Sequence, residues 1–388
     1  VVAVNDRSEV AEALVEMAAE FCEREIAPRV AEYDREEQFP RDLLDQMAAL
    51  GFFGGVIPEE LGGLGLDYKT YAMLVEKISE TCNIAACLVS MPSGLVGNSV
   101  QSYGTPEQLE RYLRPLAQGE IFGAAGVTEP RSGSDVAGMT TTYRRDGDEF
   151  VLNGAKAWIS NLDIAEFFVT FATMDRSLRH RGITAFIVPR DAPGLSLHPY
   201  KDKFGFRPIC TGEMVFDEMR IPADALLGVE GEGFKVAMNA VERGRLGVAS
   251  RAVGMAQAAL DEAKTYAMDR EIFGQPVGGF QIVQSKITDM VVGVHTARGL
   301  TYQAADALQA GKRARQLTSM AKMYAADIAF RSATDAFQIH GAYGVSPEYK
   351  IGRILRDAKV IQIVEGSNDL HRALIAEIEL GIRPTGEE

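Results

Sequence analysis

Two turn signals, Asp146-Gly147 and Asn153-Gly154, bracket the β-prone run Glu149-Phe150-Val151-Leu152. Asp-Gly and Asn-Gly supply the positive φ that tight hairpins demand, so this stretch breaks any helix and predicts short paired strands. Runs rich in aromatic and β-branched residues follow at 167–172, 183–188 and 213–216, each bounded by Gly, Pro or Asp, until Pro222-Ala223-Asp224 closes the block. On both sides the pattern is helical. Val10, Leu14, Met17 and Phe21 recur at steps of four, three and four, which builds one apolar face, and Pro28 breaks it. Residues 56–65 are too rich in Gly and Pro for regular structure and read as a loop. Helical segments are expected at 68–80 and 84–103, with Thr105-Pro106-Glu107 starting another. Ala-, Met- and Leu-rich segments at 233–267, 279–310 and 315–340, with a shorter one at 370–380 ended by Gly381, suit an antiparallel bundle.

At 388 residues the chain outgrows a single core. The expected fold is α+β multidomain: an N-terminal helical domain (1–120), a middle antiparallel β-barrel domain (121–232) and a C-terminal four-helix bundle (233–388). A net charge of −14 argues against a nucleic-acid partner, because phosphate binding needs clustered Lys and Arg. The four cysteines form no CxxC pair and the five histidines no HExxH set, so no metal site is expected. No apolar run approaches the ~20 residues of a membrane span, and the first residues lack a basic start and apolar core, so a soluble cytoplasmic protein is expected.

Four stretches concentrate groups that chemistry can use. In Val360 to Arg372, Glu365 stands between the apolar run Ile361 to Val364, read as buried, and a Gly366-Ser367-Asn368-Asp369 turn that starts a helix. Such a carboxylate either compensates the helix dipole while Ser367 or Asn368 caps, or serves as a base whose pKa burial raises. The residues themselves leave both readings open. Val127-Thr128-Glu129-Pro130-Arg131-Ser132-Gly133-Ser134-Asp135 gathers hydroxyls and backbone amides in a loop able to approach a ligand. Trp158, the only tryptophan, is followed by Ile159, Ser160 and Asn161, which suits a flat heterocycle as well as a core. Arg270 and Phe273 in a Gly-Pro loop can hold a pyrophosphate and an adenine by charge-assisted bonds and stacking, or be surface. The stretch Gln338-Ile339-His340-Gly341-Ala342-Tyr343-Gly344 offers amide bonds and close backbone contact. No GxGxxG follows a strand, so a Rossmann unit is not in use.

Taken in order, PEELGGLG (58–65), TEPRSGSD (128–135), AWIS (157–160), DREIFGQP (269–276) with Phe280-Gln281, QIHGAYG (338–344) and VEGSND (364–369) resemble the acyl-CoA dehydrogenase family of flavoproteins. The resemblance spans nearly the whole chain. It implies a helical domain, a β domain and a four-helix bundle, with FAD lying between the last two and a neighbouring subunit, usually in a homotetramer. On this chain Val127 and Thr128 would meet the flavin ring, Trp158 with Ile159 would cover it, and Ser160, where Thr is commoner, would reach N5. Arg270, Phe273, Gln281, Gln338, Gly341 and Ala342 would serve the FAD of the adjoining subunit; Ala342 stands where Gly is usual. Ser367 and Asp369 replace a more usual Thr and Glu or Gln on the cofactor. Ser134, Glu242, Arg245 and Gly366 would lie along the substrate.

The resemblance also implies α,β-dehydrogenation of an acyl thioester. Glu365 would take the α-proton, hydride would go to flavin N5, and electrons would pass to electron-transfer flavoprotein. The substrate carbonyl would be bonded by the amide of Glu365 and a flavin ribose hydroxyl. One subfamily places its base at the position of Gly244; Glu242 lies about 200° around a helix from there, which assigns the base to Glu365 and groups the chain with short-chain-like members. A short-chain or branched acyl-CoA is the expected substrate. An acyl group on an acidic carrier protein, met by Arg176, Arg179, His180 and Arg181, is the alternative; an oxygen-using oxidase and a flavin-free scaffold of the same fold are two further readings.

Overall fold

The computed structural model describes residues 4–312 and 314–382. Eight helices come first: α1 (Val4–Phe21), α2 (Val30–Glu36), α3 (Arg41–Ala49), α4 (Tyr68–Thr81), α5 (Asn83–Ser93), α6 (Leu95–Tyr103), α7 (Pro106–Gln108) and α8 (Arg114–Gln118). Their starts follow local chemistry. The Asp67 carboxylate accepts from the amides of Lys69 (3.0 Å) and Thr70 (2.9 Å) to cap α4. Thr105 and Gln108 form a reciprocal capping box at α7, with Pro106 at its first turn. The expected single segment 84–103 divides at Gly94, the hinge between α5 and α6.

The sheet comprises β1 (Phe122–Gly126), β2 (Thr142–Asp146), β3 (Glu149–Ser160), β4 (Ala165–Thr173), β5 (Ile183–Pro189), β6 (Leu195–Pro199), β7 (Thr211–Pro222) and β8 (Leu226–Leu227). Its order is β6-β7-β3-β2-β4-β5-β8, with β1 beside β4. Most pairs are antiparallel, but β1 and β2 lie parallel to β4. Asp146-Gly147 makes the expected β2–β3 hairpin, in which Asp146 pairs with Glu149. Asn153-Gly154 does not turn the chain. It lies inside β3, where the register against β7 shifts between Leu152 and Gly154 and Gly154 takes φ 140°. The Asn153 amide is satisfied by Glu218, donating to its carboxylate (2.7 Å) and accepting from its backbone N–H (2.9 Å). An Asn-Gly pair thus serves a bulge here, with the glycine at a positive φ that side-chain-bearing residues rarely adopt. β4 reads as continuously apolar because both its faces are covered: Phe168 and Ala172 join one core, Phe167, Val169 and Phe171 the other.

The second helical region holds α9 (Gly233–Asp269), the short hairpin β9 (Glu271–Ile272) and β10 (Gln275–Pro276), then α10 (Gln281–Gln309), α11 (Arg315–His340), α12 (Ile351–Ile361) and α13 (Asn368–Glu379). The first helices and this bundle share one apolar core through α4, α5 and α9.

A buried polar relay ties the three regions together. Arg251 on α9 donates to Asn83 Oδ1 (3.0 Å), the Asn83 amide donates to Asp357 Oδ2 (3.2 Å) on α12, and Asp357 Oδ1 accepts from the Phe206 amide (2.8 Å). Burial pushes the Asp357 carboxyl up, against the pull of the Phe206 and Asn83 donors. Asn83→Ala removes one acceptor and one donor from two buried ionisable groups. It is expected to destabilise by about 2 kcal/mol, seen as a lower urea midpoint.

Candidate active site

Between α12 and α13 the chain reverses through two consecutive left-handed residues, Glu365 (φ 54°) and Gly366 (φ 92°). Gly366 adopts this freely, and a side chain there would also meet His371 Nε2 at 3.1 Å. Glu365 has no such freedom, and a non-glycine residue held in this region costs about 1–2 kcal/mol, strain of the kind that collects at functional sites. Ser367 is the N-cap of α13, its Oγ accepting from the Leu370 amide at 3.2 Å. The run Ile361 to Val364 is not a single buried segment: Ile361 is buried at the end of α12, whereas Ile363 is 59% exposed. Glu365 itself is half-buried, and the helices around the turn shield its Oε2.

Glu365 Oε2 is inaccessible to solvent and has no hydrogen-bond partner. Three cations face the carboxyl: Arg245 and Arg251 from α9 and Lys322 from α11. Burial raises its pKa and the cations lower it; the balance stays above the ordinary carboxylate value. Gly244 makes the room. A Cβ there would stand 3.3 Å from Oε2 and 3.4 Å from Cδ and Oε1 of Glu365. Glu242, two residues back along α9, accepts from the Ala314 amide at 3.0 Å and so tethers the start of α11. Arg245 is buried and donates to Ser319 Oγ at 3.1 Å, while its Nε has no partner. Burial brings its pKa down to about 10, so it remains a cation at neutral pH.

Two further residues complete this cluster and had no place in the motifs. Lys322 is 0% exposed and donates to the Gly366 carbonyl (2.7 Å) and Asn368 Oδ1 (3.0 Å). His371, also fully buried, places Nε2 at 3.2 Å from the Glu365 carbonyl. A carbonyl only accepts, so Nε2 carries the proton. Burial, with Arg245 and Lys322 nearby, holds the imidazole pKa at about 3 and the ring neutral. Lys322 betrays itself in sequence only as a lone charge on a face of small residues, Thr318, Ala325 and Ala329, that repeats at helical spacing.

A second group of residues lies on the sheet. The Ala157 amide donates to the Thr128 carbonyl at 2.8 Å, which sets the Thr128 loop beside the end of β3. Trp158 there has φ 61°, is 64% exposed, and rests edge-on against Tyr200 with ring centroids 4.9 Å apart. Ile159 points into the sheet core, Val127 and Ser160 are half-buried, and Ser134 is exposed. Beneath the loop, Glu129 and Lys156 form a fully buried ion pair at 2.8 Å.

A third group caps the bundle. Phe273-Gly274 is a two-residue turn with both φ positive (50° and 76°), joining β9 to β10 and lifting Phe273 to 92% exposure. Arg270 lies over the Tyr343 ring at 5.6 Å. Gln281, Gln338, Gly341 and Ala342 are exposed alongside the ends of α10 and α11, and Asp369 is exposed on α13. The structure thus gathers Glu365, Gly366, Arg245 and Ser367 in one turn-centred cluster and Thr128, Trp158 and Ser160 in another. The bundle-end residues face outward.

Among the described residues no group of His, Cys, Asp or Glu is arranged to hold a metal, and no helix is long and apolar enough to cross a membrane.

Three family descriptions match the chain: the acyl-CoA dehydrogenase N-terminal domain over residues 8–120, the middle domain over 124–219 and the C-terminal domain over 231–380. The mitochondrial short-chain specific acyl-CoA dehydrogenase of Bos taurus is 40% identical over 357 residues, 92% of this chain and 87% of that protein. The structure of butyryl-CoA dehydrogenase from Megasphaera elsdenii superposes with TM-score 0.92 at 37% identity, covering 96% of this chain and 98% of the other. A prolyl acyl carrier protein oxidase superposes with TM-score 0.91 at 30% identity, covering 95% and 98%.

Proposed function

The chain belongs to the acyl-CoA dehydrogenase family of FAD-dependent oxidoreductases, and from that premise we propose that it oxidises a short-chain or branched acyl-CoA thioester to the 2-enoyl-CoA, with Glu365 as base. The observation that carries the assignment is the solvent-inaccessible, unpartnered Oε2 of Glu365. Asp34 and Glu37 also bury an oxygen without a hydrogen bond, but each is held in an ion pair with an arginine, Arg356 and Arg207, whereas no ion pair holds Glu365 among the described residues. This one has three cations around it and a glycine where a competing side chain would stand.

A thioester acidifies its α-proton, and a base with a raised pKa is matched to removing it near neutral pH. Glu365 begins as carboxylate and ends as carboxylic acid. Arg245, Arg251 and Lys322 hold the starting form, and burial favours the product form. His371 fixes the Glu365 carbonyl and so holds the backbone that carries the base.

The residues present fit FAD. An exposed tryptophan held at positive φ against a tyrosine is a preformed wall for a flat ring, and Thr128 and Ser160 flank it. Arg270, Phe273, Gln281 and Gln338 would hold the FAD of a neighbouring subunit in a homotetramer. Their outward placement at the bundle end supports that assignment. When bound, FAD supplies the acceptor for the β-hydrogen, which leaves as hydride. Electron-transfer flavoprotein is the proposed onward acceptor.

A carrier-bound acyl group is the second reading, favoured by the similarity to a prolyl acyl carrier protein oxidase. Against it, two of the basic residues at 176–181 are already engaged: Arg176 with the Thr140 carbonyl (2.8 Å) and Arg179 with Asp135 (2.7 Å). Anaerobic flavin bleaching across acyl-CoAs of differing length and branching, with one carrier-bound acyl group, tests the proposal. Fastest bleaching by a short or branched acyl-CoA is expected. Bleaching by the carrier-bound group alone would overturn the substrate assignment, and hydrogen peroxide formed without an added acceptor would mark an oxidase.

A further inference from the structure

Lys322 is a fully buried lysine that the dehydrogenation chemistry does not require, and it lies at the centre of the packing around the base. Its ammonium has two near acceptors, the Gly366 carbonyl at 2.7 Å and Asn368 Oδ1 at 3.0 Å, one on each side of the N-cap Ser367. Asn368 is fixed in turn, its amide donating to the Met323 carbonyl (3.0 Å) and Asp327 Oδ1 (2.7 Å). Asp327 also receives Gln362 Nε2 (2.8 Å), from the residue that closes α12, and pairs with Arg372. Lys322 holds the C-terminal side of the left-handed turn and Asp327 its α12 side, so two residues of α11 tie both ends of the turn to a single helix.

We propose that Lys322 is a positioning residue for the proposed base: it locks the turn that carries Glu365 and supplies a buried positive charge that keeps the carboxylate ionised between turnovers. The proposal rests on Glu365 being the base. Lys322 is one of several charges facing that carboxyl. Arg245 and Arg251 approach from α9, His371 is neutral on α13, and Asp327 lies on Lys322's own helix with Arg372 opposite. The arginines are permanent cations. Lys322 differs, because burial, offset by Glu365, brings its pKa down to about 7. Its charge, unlike theirs, can vary near neutral pH.

The test uses the FAD-loaded holoenzyme with Lys322→Gln, which keeps hydrogen-bond donors but removes the charge, and Lys322→Arg, which keeps the charge. Two readouts are taken against pH. One is the rate of anaerobic flavin bleaching by butyryl-CoA. The other is the infrared carboxyl band of Glu365, assigned by difference against Glu365→Gln. In Lys322→Gln the acid limb and the infrared midpoint should both move to higher pH by about one unit or more, since a nearby cation no longer favours the carboxylate. In Lys322→Arg both should stay within a few tenths of the parent, with a slower rate because the longer side chain cannot bond both acceptors. Superimposable profiles for Lys322→Gln and the parent would overturn the proposal. Should Lys322→Gln not retain FAD, Lys322→Arg decides: a slowed rate on an unmoved acid limb supports it, and an unaltered rate overturns it. Were the parent enzyme not bleached at all, the dehydrogenation reading would fall, while the infrared titration would still decide Lys322.

Discussion

Glu365→Gln yields a folded, yellow protein that binds acyl-CoA yet no longer loses its flavin colour. The expected loss in bleaching rate is at least about 10³-fold, the upper part of what one general base contributes. Glutamine preserves the volume in a space so close to Gly244 that a Cβ there would stand 3.3 Å from Oε2, so packing is maintained and proton acceptance alone is removed. Stability should move the other way. Because the folded-state pKa of Glu365 lies above its unfolded value, the ionised form is disfavoured in the fold. The sign follows from linkage: this cost is absent when the group is protonated in both states and fully present above the raised pKa. At neutral pH and above, the neutral variant is therefore expected to unfold at no lower urea concentration than the parent. For the parent, bleaching should fall as pH drops through the raised pKa of Glu365. A variant that bleaches at the parental rate removes Glu365 as base.

Lys156→Met should be the most destabilising single change on the sheet. It leaves Glu129 buried without its cation, a loss of about 3–5 kcal/mol. In the parent, burial would raise the Glu129 carboxyl, but Lys156, with further donors from Thr140 Oγ1 (2.7 Å) and the Thr141 amide (2.9 Å), overrides it and holds the pKa at about 2. A depressed carboxyl contributes stability that is present above its unfolded pKa and lost as pH falls through about 2. Glu129 adjoins Thr128, whose carbonyl takes the Ala157 amide beside Trp158, so FAD retention should fall with stability. An unchanged urea midpoint for Lys156→Met would show that the pair does not support this loop.

The helical and sheet regions were legible because period and turn chemistry are local. The helix segment at 315–340 and the Asp146-Gly147 hairpin follow directly from residues a few positions apart. Asn153-Gly154 shows where local reading stops. The same dipeptide makes a turn or a bulge depending on whether a partner strand, here β7 with Glu218, runs past it. Ile361 to Val364 read as a buried run because four apolar residues adjoin. The end of α12 instead turns Ile363 outward, and α12 itself was unread. At the site, Glu365 was visible through its motif, but its surroundings were not. Asn368 and His371 lie within the same stretch of sequence, but Lys322 and Asp327 meet it from α11 through contacts 35 to 46 residues apart, which no window of sequence contains. The contest between helix dipole and burial was likewise decided by tertiary structure. Ser367 caps α13 and the surrounding helices bury the carboxyl, so burial prevails.

Removal of the α-proton by Glu365 is the step on which the proposed reaction depends. Its most direct test separates that step from oxidation, using an acyl-CoA with a heteroatom at the β position, which has no β-hydrogen to lose. Incubated with the FAD-loaded enzyme in heavy water, this analogue should take up deuterium at the α-carbon, measured by mass spectrometry. With Glu365→Gln the uptake should fall to the level without enzyme. Uptake at the parental rate in Glu365→Gln would show that another group removes the α-proton.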